Sequence, residues 1–216
     1  MLNISPATII SRIITLLIAF TVHEFSHAWV ANYFGDDTPR AHGRLSLNPA
    51  VHLDLIGTLM LLFAGFGWAK PVPVNPYVLR RRSPAAMMLV SVAGPLSNFI
   101  LAIAAAIPLR FGLVPTVSNW PGFLPTPFQF LLDFMGINVL LMLFNLIPLA
   151  PLDGDKVLEF FLPAGGVRLL NQVRPYGPLI LLGIVFILPL FGVDFFGLFI
   201  RPLLTLISKI LLGVPL

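Results

Sequence analysis

Of the 216 residues, 57% are hydrophobic and only 10% are charged, with 13 Lys and Arg against 9 Asp and Glu. Soluble domains carry roughly 25% charged residues, so this composition excludes a soluble fold. The net charge of +4 lies in connections between apolar runs, which marks membrane topology rather than a nucleic-acid binder. There is no cysteine, so disulfides and thiolate metal ligands are excluded, and any metal site must use nitrogen and oxygen donors.

The expected architecture is an all-α, polytopic membrane helix bundle of about five spans of about 20 residues. An irregular or re-entrant segment is expected around 51–76. No internal repeat, linker or low-complexity tract divides the chain, so residues 1–216 read as a single membrane-embedded domain. Its core covers about 5–160, with C-terminal helices over about 175–213.

The first helix is expected from about Ser5 to Phe34, ended by Gly35-Asp36-Asp37 and Pro39. It is expected to be retained as a span rather than removed as a secretory signal, because its apolar run is long and carries charge within it. That charge is His23-Glu24-Phe25-Ser26-His27, set in an apolar stretch. Burying a carboxylate and two imidazoles at lipid depth costs several kcal/mol or more unless they find partners, which marks them as functional candidates. On a helix His23 and His27 are i and i+4 and share a face, with Glu24 beside them. This is the H-E-x-x-H zinc arrangement, in which the glutamate serves as general base. It points to a metallohydrolase within a bilayer.

Residues 36–50 are polar and include Arg40, His42 and Arg44; Asp36 and Asp37 read as solvated residues after a helix end. Val51 to Trp68 is apolar but short, contains His52 and Asp54, and is interrupted by Gly57, Gly65 and Gly67. The prolines of 70–76 forbid regular helix and bias that stretch to extended backbone. After Arg80-Arg81-Arg82, Ser83 to Leu109 is a charge-free span. Residues 112–127 are a loop, and Phe128 to about Leu149 is the next span, broken by Pro148 and Pro151 and followed by Asp153-Gly154-Asp155. Pro175–Val193 is a further uncharged run, and Phe195 to Leu212 is a weaker apolar segment containing Arg201-Pro202.

A catalytic zinc usually takes three protein ligands and leaves a fourth position open. Asp153 is the best candidate for the third donor, because a Pro-Leu-Asp-Gly turn at the end of a span can aim a carboxylate back into the bundle. The competing reading is that Asp153 caps a helix or marks the interface. His42 and His52 are alternative donors, each better read as a surface or hydrogen-bonded side chain. Asp54 either orients a ligand histidine or caps the following segment.

Three motifs in order then match one family. The chain resembles the site-2 protease family of intramembrane zinc metalloproteases. Asn145 through Gly154 fits N-x-x-P-x-x-x-L-D-G, His23-Glu24-x-x-His27 fits H-E-x-x-H, and Gly94-Pro95-x-x-Asn98 fits G-P-x-x-N. The match covers roughly residues 10–160. The resemblance implies one Zn2+ per chain held by His23, His27 and Asp153, with Glu24 as catalytic base. It associates Asn98 and Asn145 with the active-site region, although asparagine between membrane helices also serves as an interhelical hydrogen-bond partner. Gly65 and Gly67 resemble a G-x-G loop that contacts substrate in some relatives; the alternative is an ordinary connector. A compact form without a PDZ domain or a CBS pair is expected. The implied partners are membrane-protein substrates with a transmembrane helix and the lipid bilayer, with no nucleic acid.

A shared metal requires the ends of the first helix and of the Phe128 helix to face the same side, since an antiparallel pair would separate the donors by roughly 15 Å or more at 1.5 Å per residue. Ser83–Leu109 supplies the one crossing between them, so Val51–Trp68 is expected to dip in and return. The basic residues then share one side, cytoplasmic by the positive-inside rule, with Trp29, Tyr33, Trp68 and Tyr77 in an aromatic belt there. The expected location is a prokaryotic plasma (inner) membrane, with the active site nearer the cytoplasm. The alternative function is a metal-binding transporter or sensor that uses the same three residues.

Overall fold

The computed structural model describes residues 5–54, 57, 69–115 and 120–213. Helix α1 is Pro6–Tyr33; Ser5 Oγ accepts from Thr8 N at its start, and Pro6 occupies the first turn, where a missing N–H costs nothing. Gly35 ends it in the left-handed region at φ +85°. A short turn, α2 (Thr38–Ala41), follows, and α3 is Pro76–Arg82. The long α4, Ala86–Arg110, contains Pro95 and Pro108, and α5 is Pro127–Asn145, capped by Thr126. Beyond it come α6 (Gly154–Phe161), α7 (Ala164–Val173), α8 (Gly177–Leu182) and α9 (Arg201–Leu212).

Four helical segments among the described residues are long and apolar enough to cross a membrane: Pro6–Tyr33, Ala86–Arg110, Pro127–Asn145 and Ala164–Phe191. The expected weaker segment at Phe195 is also helical, through a π turn at Phe196–Ile200 into α9. The protein is an all-α membrane helix bundle. Two expected boundaries move: α5 ends at Asn145 rather than near Leu149, with residues 146–153 forming a turn into α6, and the fourth spanning segment begins at Ala164 rather than near Pro175.

Helix α4 packs between α1 and α5. Gln129 Nε2 at the start of α5 donates to Thr8 Oγ1 at the start of α1, at 3.3 Å. The two helices therefore run parallel, as a shared metal requires. Buried Ala102, Ala105 and Ala106 on α4 pack against Phe134, Met135, Val139 and Met142 of α5. Small residues let helices approach closely where lipid offers no hydrophobic drive between them. At the C-terminal end of α1, fully buried Leu79 of α3 joins Ala31, Ala86 and Val90. The basic residues of α3 thus lie at the opposite end of the bundle from Pro6.

The polar connection after α1 is more ordered than solvated residues would be. Asp36 is 1% exposed; its carboxylate accepts from Thr38 N at 3.0 Å and from Asn75 N at 2.6 Å. That corrects the expectation of a solvated Asp36: a buried carboxylate is tolerated here because two backbone donors satisfy it. Leu53 and Ala69 form an antiparallel bridge, and Lys70 N donates to His52 O at 2.8 Å. The chain thus enters and leaves the intervening stretch at one place. Reporters fused before Pro6 and next to Arg81 should therefore read opposite sides of the membrane; like readings from both would contradict this arrangement of α1 and α3.

Candidate metal centre

His23 and His27 lie one turn apart on α1, about 15 Å and about 9 Å from its C-terminal end at 1.5 Å per residue. Their Nε2 atoms stand 3.0 Å apart. Asp153 Oδ2 lies 3.2 Å from His23 Nε2 and 3.4 Å from His27 Nε2. The aspartate arrives from the turn between α5 and α6, where the parallel course of α1 and α5 brings the two helix ends to one level. Both histidines and Glu24 are buried.

The other ring nitrogens fix the protonation. His23 Nδ1 is 2.6 Å from Asn98 Oδ1, and His27 Nδ1 is 2.7 Å from the Val90 carbonyl, on α4. Both partners can only accept, so each Nδ1 carries a proton, and in the neutral ring each Nε2 offers a lone pair. The orientation of the Asn98 amide is itself determined, since its Nδ2 donates to Asn138 Oδ1 at 2.9 Å and toward Ala19 O at 3.4 Å. Asn138 Nδ2 donates in turn to Phe134 O at 2.8 Å. An ordered chain of hydrogen bonds thus runs from His23 as first donor through Asn98 of α4 to Asn138 of α5, the outer support that metal-ligating imidazoles use. Buried Asp153 Oδ2 has no hydrogen-bond partner among the described residues. Three unshared lone pairs therefore converge on one point, which is unfavourable without a cation between them.

Similarity to known proteins agrees. The chain is 43% identical over 178 residues to a Bacillus subtilis protein, a match spanning 82% of this chain and 80% of the relative. It is 32% identical over 189 residues to a Mycobacterium tuberculosis protein and 31% identical over 195 residues to one from Mycolicibacterium smegmatis. Each of these matches spans 84% of this chain and 68% of the relative. All three carry the name "Putative zinc metalloprotease", the first YwhC and the others Rip2. The chain belongs to this zinc metalloprotease family. No protein-family model matches it, and no solved structure matches it.

Zinc is accordingly the metalloprotease's cofactor, and the three donors fit it. Nitrogen and oxygen ligands about 2.0–2.1 Å from zinc at tetrahedral angles stand about 3.3 Å from one another. The observed separations of 3.0, 3.2 and 3.4 Å bracket that value. A cysteine-free set of two imidazoles and one carboxylate is a known catalytic zinc combination, with one position left open. Gly94 makes room for it: a Cβ there would fall 2.6 Å from both Cε1 and Nε2 of His23, and closer still to His27 Nε2.

The remaining sequence candidates separate. Asn98 stands directly behind His23. Asn145 donates to Leu141 O of its own helix at 3.0 Å, and none of its described hydrogen bonds reaches the three donors. Exposed His42 contacts Thr38 O, and buried His52 contacts Ser46 O at 2.6 Å, so neither joins the group. Asp54 Oδ1 accepts from Gly57 N at 2.8 Å, as a capping residue does. Gly65 and Gly67 lie outside the described residues.

Sequence reasoning misses Asn138, for which a lone amide within an apolar run is the available signal, and half-buried Asp133 in the same helix, whose Oδ2 has no hydrogen-bond partner among the described residues. Gly94→Ala should abolish stoichiometric zinc binding while leaving helix content unchanged. Metal analysis alongside far-ultraviolet circular dichroism checks this, and zinc retention would show that His23 and His27 do not need the space at Gly94.

Proposed function

We propose that this metalloprotease is an intramembrane enzyme that hydrolyses peptide bonds in or near transmembrane segments of membrane-protein substrates. The single observation that carries the reading is the depth of the site. His23, Glu24 and His27 sit inside a 28-residue apolar helix rather than in a soluble domain, with Asp153 brought to them by the turn after a second such helix. We also assign the site to the cytoplasmic half of a prokaryotic plasma membrane. The basic residues of α3 cluster at the same end of the bundle as the three donors, in accord with the positive-inside rule.

His23, His27 and Asp153 would hold the zinc, which when bound supplies Lewis-acid polarisation of a carbonyl and of a water molecule. Asn98 and the Val90 carbonyl keep both imidazoles in the tautomer that leaves Nε2 free. Glu24 follows His23 on α1, is 8% exposed, and has no hydrogen-bond partner among the described residues. An unpaired carboxylate there takes the proton from the attacking water and delivers it to the leaving amine. A helical substrate hides its amide carbonyls in i→i−4 bonds, so it must unwind locally before attack.

The discriminating variant is Glu24→Gln, which keeps shape and removes basicity. Zinc content should remain at the wild-type level, and cleavage of a membrane-protein substrate in proteoliposomes should fall by about 100-fold or more, the lower range of a general base's contribution. Undiminished cleavage would remove Glu24 from that role. A transporter using the same three donors would lose no metal flux in this variant.

A further inference from the structure

The start of the C-terminal helical region, Arg174 to Gly177, takes no part in the chemistry above, yet it grips the turn that carries Asp153 on both flanks. Two residues beyond Asp153, the Asp155 carboxylate is 2% exposed. Arg174 Nε donates to both of its oxygens, at 3.0 and 2.9 Å, and Lys156 Nζ lies 3.2 Å away. The same guanidinium pairs through Nη2 with Glu159, which also receives Arg80 Nη2 of α3 at 2.8 Å. Three residues before Asp153, the Ala150 backbone presses on Gly177: a Cβ added there would stand 2.9 Å from the Ala150 carbonyl carbon and closer still to its oxygen.

Asp153 has little support of its own. Its metal-facing Oδ2 lacks a hydrogen-bond partner among the described residues, and its position follows from its neighbours along the turn. The planar guanidinium spans two carboxylates, Nε on Asp155 and Nη2 on Glu159, which fixes orientation as well as distance as a lysine point charge does not. Ligands are held in place by such outer contacts, and their loss typically lowers metal affinity.

We propose that Arg174 is a positioning residue for the metal centre. Through Asp155, and with Gly177 seated against Ala150, it holds the turn so that Asp153 Oδ2 faces both imidazoles. The inference rests on reading His23, His27 and Asp153 as the zinc site, and it gives the C-terminal region a role in the chemistry of the first 160 residues.

The test uses the full chain in detergent micelles. Zinc affinity is measured by chelator competition, and thermal unfolding of the metal-free protein is followed separately. Arg174→Gln and Asp155→Asn should each weaken zinc binding about 10- to 100-fold. The double variant should bind no more weakly than the worse single one, because the two residues act as a unit. Arg174→Lys should fall between wild type and Arg174→Gln. A merely structural contact would lower the melting temperature and leave zinc affinity at the wild-type level; that result overturns the proposal, as do independent, additive losses in the double variant. Should Arg174→Gln fail to fold, Arg174→Lys decides alone, with unchanged affinity counting against the proposal. Full zinc retention by His23→Ala would instead overturn the zinc-site reading on which the proposal rests.

Discussion

Two imidazole nitrogens and a carboxylate oxygen point their lone pairs at one another across 3.0 to 3.4 Å, within an apolar bundle. No hydrogen bond among the three relieves that arrangement, because both rings spend their single proton on carbonyl-type acceptors behind them. A divalent cation turns the repulsion into coordination. Much of the helix arrangement serves this one convergence. Helix α1 supplies two donors a turn apart, and α5 runs parallel to it so that the following turn can deliver the third. Helix α4 lies between them with a glycine where the imidazoles press and an asparagine where one of them needs an acceptor.

The membrane explains why so few polar residues suffice. In lipid an unsatisfied polar group is costly, and buried His23, Glu24, His27, Asn98 and Asn138 are gathered at the metal centre or directly behind it. Asn98 and Asn138 form one hydrogen-bonded pair linking α4 to α5, and that pair also orients His23. Helix packing and the orientation of His23 therefore share atoms here. The turn after α5 is held in a similar economy, by a glycine at 154 whose Cβ would strike the Leu146 and Ile147 carbonyls and by the arginine at 174.

The legible parts of the sequence were those with short-range signatures. Gly35-Asp36-Asp37 and Pro39 mark the end of the first helix, and α1 does end at Tyr33 with Gly35 in the left-handed region. His23 and His27 declare a shared face by their spacing of four. Asp153 depended on more, since a carboxylate after a span caps a helix as readily as it binds metal. What decides between those readings is the distance to residues 130 positions away, which no local pattern holds. Asn138 is hidden for the same reason: its partner, Asn98, is 40 residues distant. Asn145, conspicuous in its motif, turns back onto its own helix. Asp36 looked solvated because the donor that buries it, Asn75 N, is 39 residues further on. Arg174 lay in a polar connection without a motif, and only the folded chain sets it on Asp155.

The coordination itself is the most direct point of attack. X-ray absorption at the zinc edge, with metal analysis of the purified full-length protein, should give one zinc per chain and a shell of nitrogen and oxygen alone, two of the donors imidazole. Asp153→Ala should lose most of that zinc, and any remainder should lack the carboxylate oxygen. Stoichiometric zinc with an unaltered spectrum in Asp153→Ala would contradict the three-donor site.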